Sequence, residues 1–422
     1  EDRAMTKYTG PIVITGMGAI SPFGPGVEAL WSALLRGERR TTLIEPAGAL
    51  EQAVEGAQVG DWRPADLLGK RGLQYLRTST QFLLGASVLA LHAAGLTGDD
   101  TRADELGVTI GCNLVGLQST ADYDYTALSE GPVCTSPMEA PNTLANAPAS
   151  HLAIRLKARA LNTTIASGQC AGLDALGYAA RAMREGRAHQ IVAGGVEELS
   201  LAALWVYSKT GILDHTRPAN AGYPFETSSR GCLPGEGAAV VVLERQEEAL
   251  ARGARPLAVL AGWSSAFAPA PELETRARVL HRTALQALQA SGLSAEDVDV
   301  VVSGANGVPE QDQAEAQALR QLLAENPRVR VTAIKGTLGE TYGAGGMFQT
   351  LAATCMLEHG LVPPTISHEY AASSLASGLR TTRTTPAHRP ENAQGVALLL
   401  SQDLFGSTSA VVLRGYQDEK GN

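Results

Sequence analysis

The sequence predicts a layered α/β protein in which one design is used twice, as two mixed five-stranded sheets stacked around a shared helical layer. Short β-branched runs bounded by glycine alternate with amphipathic helical stretches, the signature of strands packed under helices. The alternation restarts near residue 254. The segment GAAVVVLER at 237–245, closing the first half, resembles TSAVVLRGY at 408–416, closing the second. A chain of 422 residues suits two such units of about 200 each.

In the first half the expected strands are Pro11–Thr15, Gly107–Ile110, Leu161–Ala166, Gln190–Ala193 and Ala238–Leu243. Their continuous apolar character reads as burial on both faces. Helices are expected over Thr80–Ala94 and Leu173–Glu185, the latter with Leu173, Leu176, Ala179, Ala180 and Met183 on one face. After the turn at Arg252–Arg255 come strands at Leu257–Leu260, Val298–Val302, Val329–Ile334, Gly395–Leu400 and Ala410–Leu413, with a helix around Leu273–Gly292. The halves are therefore drawn as 5–253 and 254–422. Residues 44–80 and 113–150, rich in Gly, Pro, Ser and Asn, are expected as insertions over one face of the first half.

Composition narrows the function. With 44% hydrophobic and 18% charged residues the chain is neither disordered nor a coiled coil. A formal net charge of −9 offers no basic footprint for nucleic acid or an anionic membrane. No apolar run approaches the roughly 18–20 residues of a transmembrane helix, and no signal peptide is expected. Glu1–Ala4, ahead of Met5, read as the remnant of a cloning tag. Cys112, Cys134, Cys170, Cys232 and Cys355 form no CxxC, and the eight histidines show no HxxxH or HExxH spacing. A cytoplasmic setting without a metal site is expected.

The chemistry should lie at Ala166–Leu176, ASGQCAGLDAL, where a strand turns through Gly168 into a helix. A side chain at position 169 would sit where free N–H groups and the helix dipole stabilise a thiolate or an oxyanion. That residue is Gln169.

Together with VITGMGAISP at 13–22 and PFETSSRGCLPGEGAAVVVL at 224–243, the elbow resembles the β-ketoacyl synthase family over nearly the whole chain. The resemblance implies the duplicated thiolase fold, layered α-β-α-β-α. It also implies a nucleophilic cysteine at the position held by Gln169, with Cys170 one residue out of register. The family's two histidines would fall in Gly304–Glu315 and Lys335–Gly346, where this chain has Asn306 and Glu340. Decarboxylative condensation needs a thiolate to carry the acyl chain and hydrogen-bond donors to stabilise the enolate. Glutamine forms no useful thioester and a carboxylate repels the enolate, so the chain is expected not to condense by itself.

Glutamine in the elbow and GVPEQDQAEAQAL at 307–319 resemble the chain-length factor branch, the β subunit of type II polyketide ketosynthases. That resemblance implies a heterodimer with a catalytic ketosynthase α subunit, formed across the strand at Leu161–Ser167, and a tunnel whose shape sets polyketide length. An acyl carrier protein would deliver the malonyl units on its phosphopantetheine arm, with no cofactor bound. Leu117, Thr120 and Asp124, at i, i+3 and i+7, would end the tunnel, with Trp205 nearby. Leu117 and Asp124 are less bulky or more polar than the residues of aromatic systems, so a linear reduced or polyene product is the other expectation.

Rival readings attach to the same residues. A glutamine-type ketosynthase that decarboxylates malonyl-carrier protein would need the two missing histidines, and a homodimeric thiolase-like enzyme would need Cys170, although a free cysteine is more often a small buried hydrophobe. Lys335 and Glu340 are candidates for an ion pair filling the vacated space. Arg181, Arg184 and Arg187 read as a solvated helix face or a carrier-protein dock. His215, before a Pro/Asn/Gly loop, reads as a surface group or one facing the site.

Overall fold

The computed structural model describes residues 7–48, 50–60, 62–96, 103–213, 221–367, 374–382, 385–388 and 395–417. Glu1–Ala4 and His215 lie outside the described residues.

The first half contributes β1 (Ile12–Ser21), α1 (Thr78–Ala93), β2 (Leu106–Gly111), α2 (Leu117–Ser129), α3 (Ala147–Leu156), β3 (Leu161–Ile165), α4 (Ala171–Arg184), β4 (Gln190–Glu197), α5 (Leu201–Thr210) and β5 (Gly237–Arg245). After α6 (Gln246–Ala251) the second half contributes β6 (Ala258–Phe267), α7 (Leu273–Ala290), β7 (Val300–Val302), α8 (Pro309–Leu322), β8 (Arg330–Thr332), α9 (Gly345–His359), β9 (Val396–Gln402) and β10 (Ser407–Gly415). All ten expected strands are present.

The strand order establishes the repeat. Across the first half it is β3-β2-β4-β5-β1, and across the second β8-β7-β9-β10-β6, the same permutation of chain order. Directions repeat as well: β2 runs parallel to β3 and β4, and β7 parallel to β8 and β9, whereas the remaining pairings within each set are antiparallel. The two five-stranded sets are joined where Ile12–Ile14 of β1 pair with Ala258–Leu260 of β6.

Layering follows from side-chain alternation. On β5, Ala239, Val241 and Leu243 enter the central core with Leu173 and Leu176 of α4 and Met347 and Leu351 of α9. The alternate residues Ala238, Val240 and Val242 pack beneath α1 and α3. In the second half Leu399 and Val411 face the same central helices, while Leu398 and Val412 face α7 and α8. Because α9 lies between two sheets, Gly345–Leu357 are buried all round, and the helix stops at Gly360 in the left-handed conformation. Each fully buried aliphatic side chain contributes about 1.5–3 kcal/mol.

β1 and β4 run past their expected ends because glycine there serves packing. A Cβ on Gly16 would lie 2.2 Å from the Ala90 carbonyl oxygen, so glycine admits α1 onto the strand.

Candidate active site

Parallel strands β3, β7 and β8 deliver the functional loops at their carboxyl ends, where loops of an α/β sheet converge. After β3, Ser167 leads into Gly168, whose φ of 64° suits glycine, and a 3-10 turn at Gly168–Cys170 opens α4. A Cβ on Gly168 would collide with the Asp403 carboxylate. The Asp403 Oδ2 accepts the Gln169 backbone N–H at 3.3 Å, and the Ser401 hydroxyl donates to the Gln169 carbonyl at 2.8 Å. The elbow is thus held from the second half.

The second half repeats the elbow. A 3-10 turn at Tyr342–Ala344 opens α9, with Tyr342 at φ 43° where the first copy has Gly168. Tyr342 stacks on Tyr207 of α5 with ring centroids 3.6 Å apart and planes inclined by 7°. Asn113 Nδ2 donates to the Tyr207 hydroxyl at 2.6 Å.

Between the elbows the three family positions meet at a single atom. Glu340 Oε2 accepts from Gln169 Nε2 at 2.7 Å, from Asn306 Nδ2 at 2.9 Å and from Lys335 Nζ at 2.8 Å. Its other oxygen accepts the Tyr342 N–H at 2.8 Å. Gln311 completes a ring of side chains: its Nε2 donates to Gln169 Oε1 at 3.1 Å, and its Oε1 accepts from Asn306 Nδ2 at 3.3 Å. The amide of Asn306 is oriented by its own Oδ1, which accepts the Val308 N–H at 3.0 Å. All five side chains are buried.

Acidic residues of α8 shape the loop carrying Asn306. Asp312 accepts the N–H groups of Phe225, Asn306 and Gly307, and Glu315 accepts the Ser303 hydroxyl and the Gly304 N–H. Burial pushes the Asp312 carboxyl up to about 7 against those backbone donors, and raises Glu315 too. The Glu340 backbone is fixed by the segment before β5: its N–H donates to Leu233 and its carbonyl accepts from Gly235.

Cys170 cannot serve as a nucleophile. It is fully buried, with Sγ 3.4 Å from the Ser407 carbonyl, and burial, reinforced by Asp174 and Asp403, raises its thiol well above the ordinary value. A cavity of about 350 Å³ opens over the elbow, lined by Asn113, Gln169, Tyr207, Tyr342, Asp403 and Phe405 among others.

The structure brings Gln169, Asn306 and Glu340 together and forms the Lys335–Glu340 pair. Leu117 and Thr120 are half-buried and Asp124 exposed on α2, outside that cavity. The Thr120 hydroxyl donates to the Gly116 and Thr143 carbonyls. Trp205, 40% exposed on α5, lies beside the cavity-lining Val206 and Tyr207 without lining it. α2 packs against α5, so the four residues share one region of the surface. Arg181 pairs with Glu185, and Arg187 donates to the Tyr178 hydroxyl, on a solvated face at the far end of α4 from the elbow. The sequence reading missed Gln311, Tyr207 and Tyr342; for Gln311 the only signal was its place in the 307–319 string.

Comparison with known proteins agrees with this geometry. The family model for the β-ketoacyl synthase N-terminal domain matches residues 9–249, and that for the C-terminal domain matches residues 257–369. A putative polyketide beta-ketoacyl synthase 2 of Streptomyces halstedii is 33% identical over 415 residues, covering 95% of this chain and 96% of that protein. A 3-oxoacyl-(acyl-carrier-protein) synthase 2 of Synechocystis is 30% identical over 373 residues, covering 85% and 88%. The solved ishigamide ketosynthase/chain length factor superposes with a TM-score of 0.85 at 25% identity, covering 97% of this chain and all of that one.

Proposed function

This chain belongs to the β-ketoacyl synthase family, and from that premise we propose that it acts as a chain-length factor, the non-catalytic β subunit of a type II polyketide ketosynthase. The observation that carries the reading is the convergence of Gln169, Asn306 and Lys335 on Glu340 Oε2. Condensation requires donors aimed at an enolate oxygen that appears only during reaction. Here a resident carboxylate occupies those donors, and its charge opposes a second anion beside it. Position 169 offers an amide already engaged at both ends, so no acyl chain is carried there.

The partner is a ketosynthase α subunit with an intact cysteine and both histidines. β3 is an edge strand whose Thr163, Thr164 and Ile165 are half-exposed, a suitable seam for antiparallel pairing with a second sheet. The segment before it carries exposed Tyr125, Leu128, Val133, Met138, Leu144 and Ile154, an apolar surface of the kind a permanent partner covers. Leu117, Thr120, Asp124 and Trp205 would then bound the growing chain from this side of the interface. The acyl carrier protein presents malonyl units, its phosphopantetheine arm entering the α subunit as part of the substrate, and no cofactor is held by this chain. Among the described residues no helix is long and apolar enough to cross a membrane.

Co-expression with the α subunit tests the proposal. A one-to-one complex that extends malonyl units, beside a lone chain that neither condenses nor releases carbon dioxide, is the expected result. Carbon dioxide release by the lone chain, abolished in Gln169→Ala, would make it a decarboxylase instead.

A further inference from the structure

β2 and β4 are parallel neighbours, in register from Leu106 beside Gln190 to Gly111 beside Gly195, so the chain leaves both strands at the same end of the sheet. α2 follows the first strand and α5 the second. The buried Glu197 carboxylate, at the end of β4, accepts the Asn113 and Leu114 N–H groups and the Gly343 N–H of the second elbow. That anchors the root of α2. It does not set the angle at which a helix of 13 residues leaves that root.

Two side chains of α2 do so. On one side the Thr120 hydroxyl donates to the Thr143 carbonyl. On the other the half-buried Gln118 reaches α5, where its Oε1 accepts the Ala202 N–H at 3.0 Å. The first turn of a helix leaves N–H groups without an intrahelical acceptor. In α5 the cap residue Ser200 supplies its hydroxyl to the Ala203 N–H at 3.1 Å, and Gln118 supplies the acceptor for the neighbouring Ala202 N–H from a different helix. The amide has one orientation, because a backbone N–H only donates and so requires the oxygen. Gln118 Nε2 is then turned to Asp122, one turn further along α2, whose Oδ1 accepts it at 2.8 Å.

This contact joins the two helices that bound the growing chain in the proposed function. Leu117, Thr120 and Asp124 lie on the stripe of α2 beside Gln118, and Trp205 lies on α5. Val206, Tyr207 and Thr210 of the same helix line the cavity over the elbow.

We propose that Gln118 is a positioning residue for chain length: by capping α5 from α2 it holds Leu117, Thr120 and Asp124 in one place relative to Trp205, so that the tunnel ends at one depth. The inference rests on the chain-length reading above. Gln118 touches no reacting atom, so its loss blurs product length without slowing extension.

The test uses the complex with the α subunit and mass spectrometry of its products. Gln118→Met keeps the length of the side chain and removes the acceptor. It should raise the share of product at neighbouring lengths about threefold, as α2 populates more than one position, with malonyl consumption and complex formation close to wild type. Gln118→Glu combined with Asp122→Asn keeps an acceptor for the Ala202 N–H and a donor beside it, and should return the wild-type distribution. Hydrogen exchange of the lone chain reads the clamp without turnover: amides at the start of α5 should exchange several-fold faster in Gln118→Met. A wild-type distribution in Gln118→Met would overturn the inference. If Leu117→Phe shifts length in the same assay, the chain-length reading survives that result, and if Leu117→Phe is silent as well, both fall. Slower extension or weaker association at unchanged distribution would also overturn it, as would blurring that persists in the double variant. Should Gln118→Met yield no product, the exchange result decides, and unchanged exchange at the start of α5 counts against the clamp.

Discussion

Lys335 Nζ and Glu340 Oε2 lie 2.8 Å apart with side chains only 2% and 0% exposed, so the protein encloses an ion pair beside the elbow at Gly168–Cys170. Neither charge is tolerable there alone, because desolvation of an isolated ion exceeds what a few neutral dipoles return. The surrounding amides of Gln169 and Asn306 complete the carboxylate's shell.

Removing the charge of Glu340 should be severe. Glu340→Gln strands a buried ammonium and is expected to destabilise the chain by about 3–5 kcal/mol. Adding Lys335→Met should recover part of that loss. Chemical denaturation of the three forms decides it, and an unchanged midpoint in Glu340→Gln would remove the pair from the account.

Restoring a thiol should not restore reactivity. In a Cys134→Ser background, Gln169→Cys places sulfur beside the Glu340 carboxylate, which disfavours the thiolate. Alkylation by iodoacetamide is expected to require a pH above the ordinary thiol range of about 8.5, and adding Glu340→Gln should lower it. Rapid alkylation of the single variant at neutral pH contradicts the reading.

Partner binding should be sensitive to the apolar surface before β3. Leu128 and Ile154 are 88% and 75% exposed, so Leu128→Lys and Ile154→Lys should leave the lone chain's melting temperature unchanged. Association with the α subunit should weaken at least tenfold, about 1.4 kcal/mol. Equal affinity by calorimetry would move the interface elsewhere.

Product length should respond to α2. Leu117→Phe and Asp124→Phe are expected to shorten the polyketide by at least one extension unit, read by mass spectrometry of the complex's products. Unchanged length in both variants would detach α2 from the tunnel.

Stability should fall as pH rises through the neutral range. Burial lifts Glu197 to about 8 and Asp312 to about 7, each above its unfolded value, although both accept several backbone N–H groups. The native state therefore binds more protons than the unfolded chain between roughly pH 4 and 8, and unfolding free energy declines with pH across that window. Denaturation midpoints at pH 6 and pH 9 should show the loss, and Glu197→Gln should flatten it.

The strands were legible because strands buried on both faces leave continuous β-branched runs, as Ala238–Leu243 does in β5. Their ends were less so. The first strand was drawn only as far as Thr15, and the approach of α1 shows why glycine at 16 carries it on to Ser21. The site was readable as far as its motif frame reached, which located Gln169, Asn306 and Glu340. Tyr342 was not readable, since a tyrosine at positive φ carries no sequence signal and is held by its stack on Tyr207.

By itself the sequence determined the duplicated α/β design and placed Gln169, Asn306 and Glu340 in its family-like motif frame, because periodicity and motif spacing are local properties of the chain. Tertiary structure alone decided that Gln169, Asn306, Gln311, Lys335 and Glu340 close into one hydrogen-bonded group, and that Gln118 meets the Ala202 N–H. The physical reason is the same in both places. Strands adjacent in the sheet are far apart in the chain, so the contacts made at their ends depend on pairing order and on the direction each side chain takes from a rigid backbone.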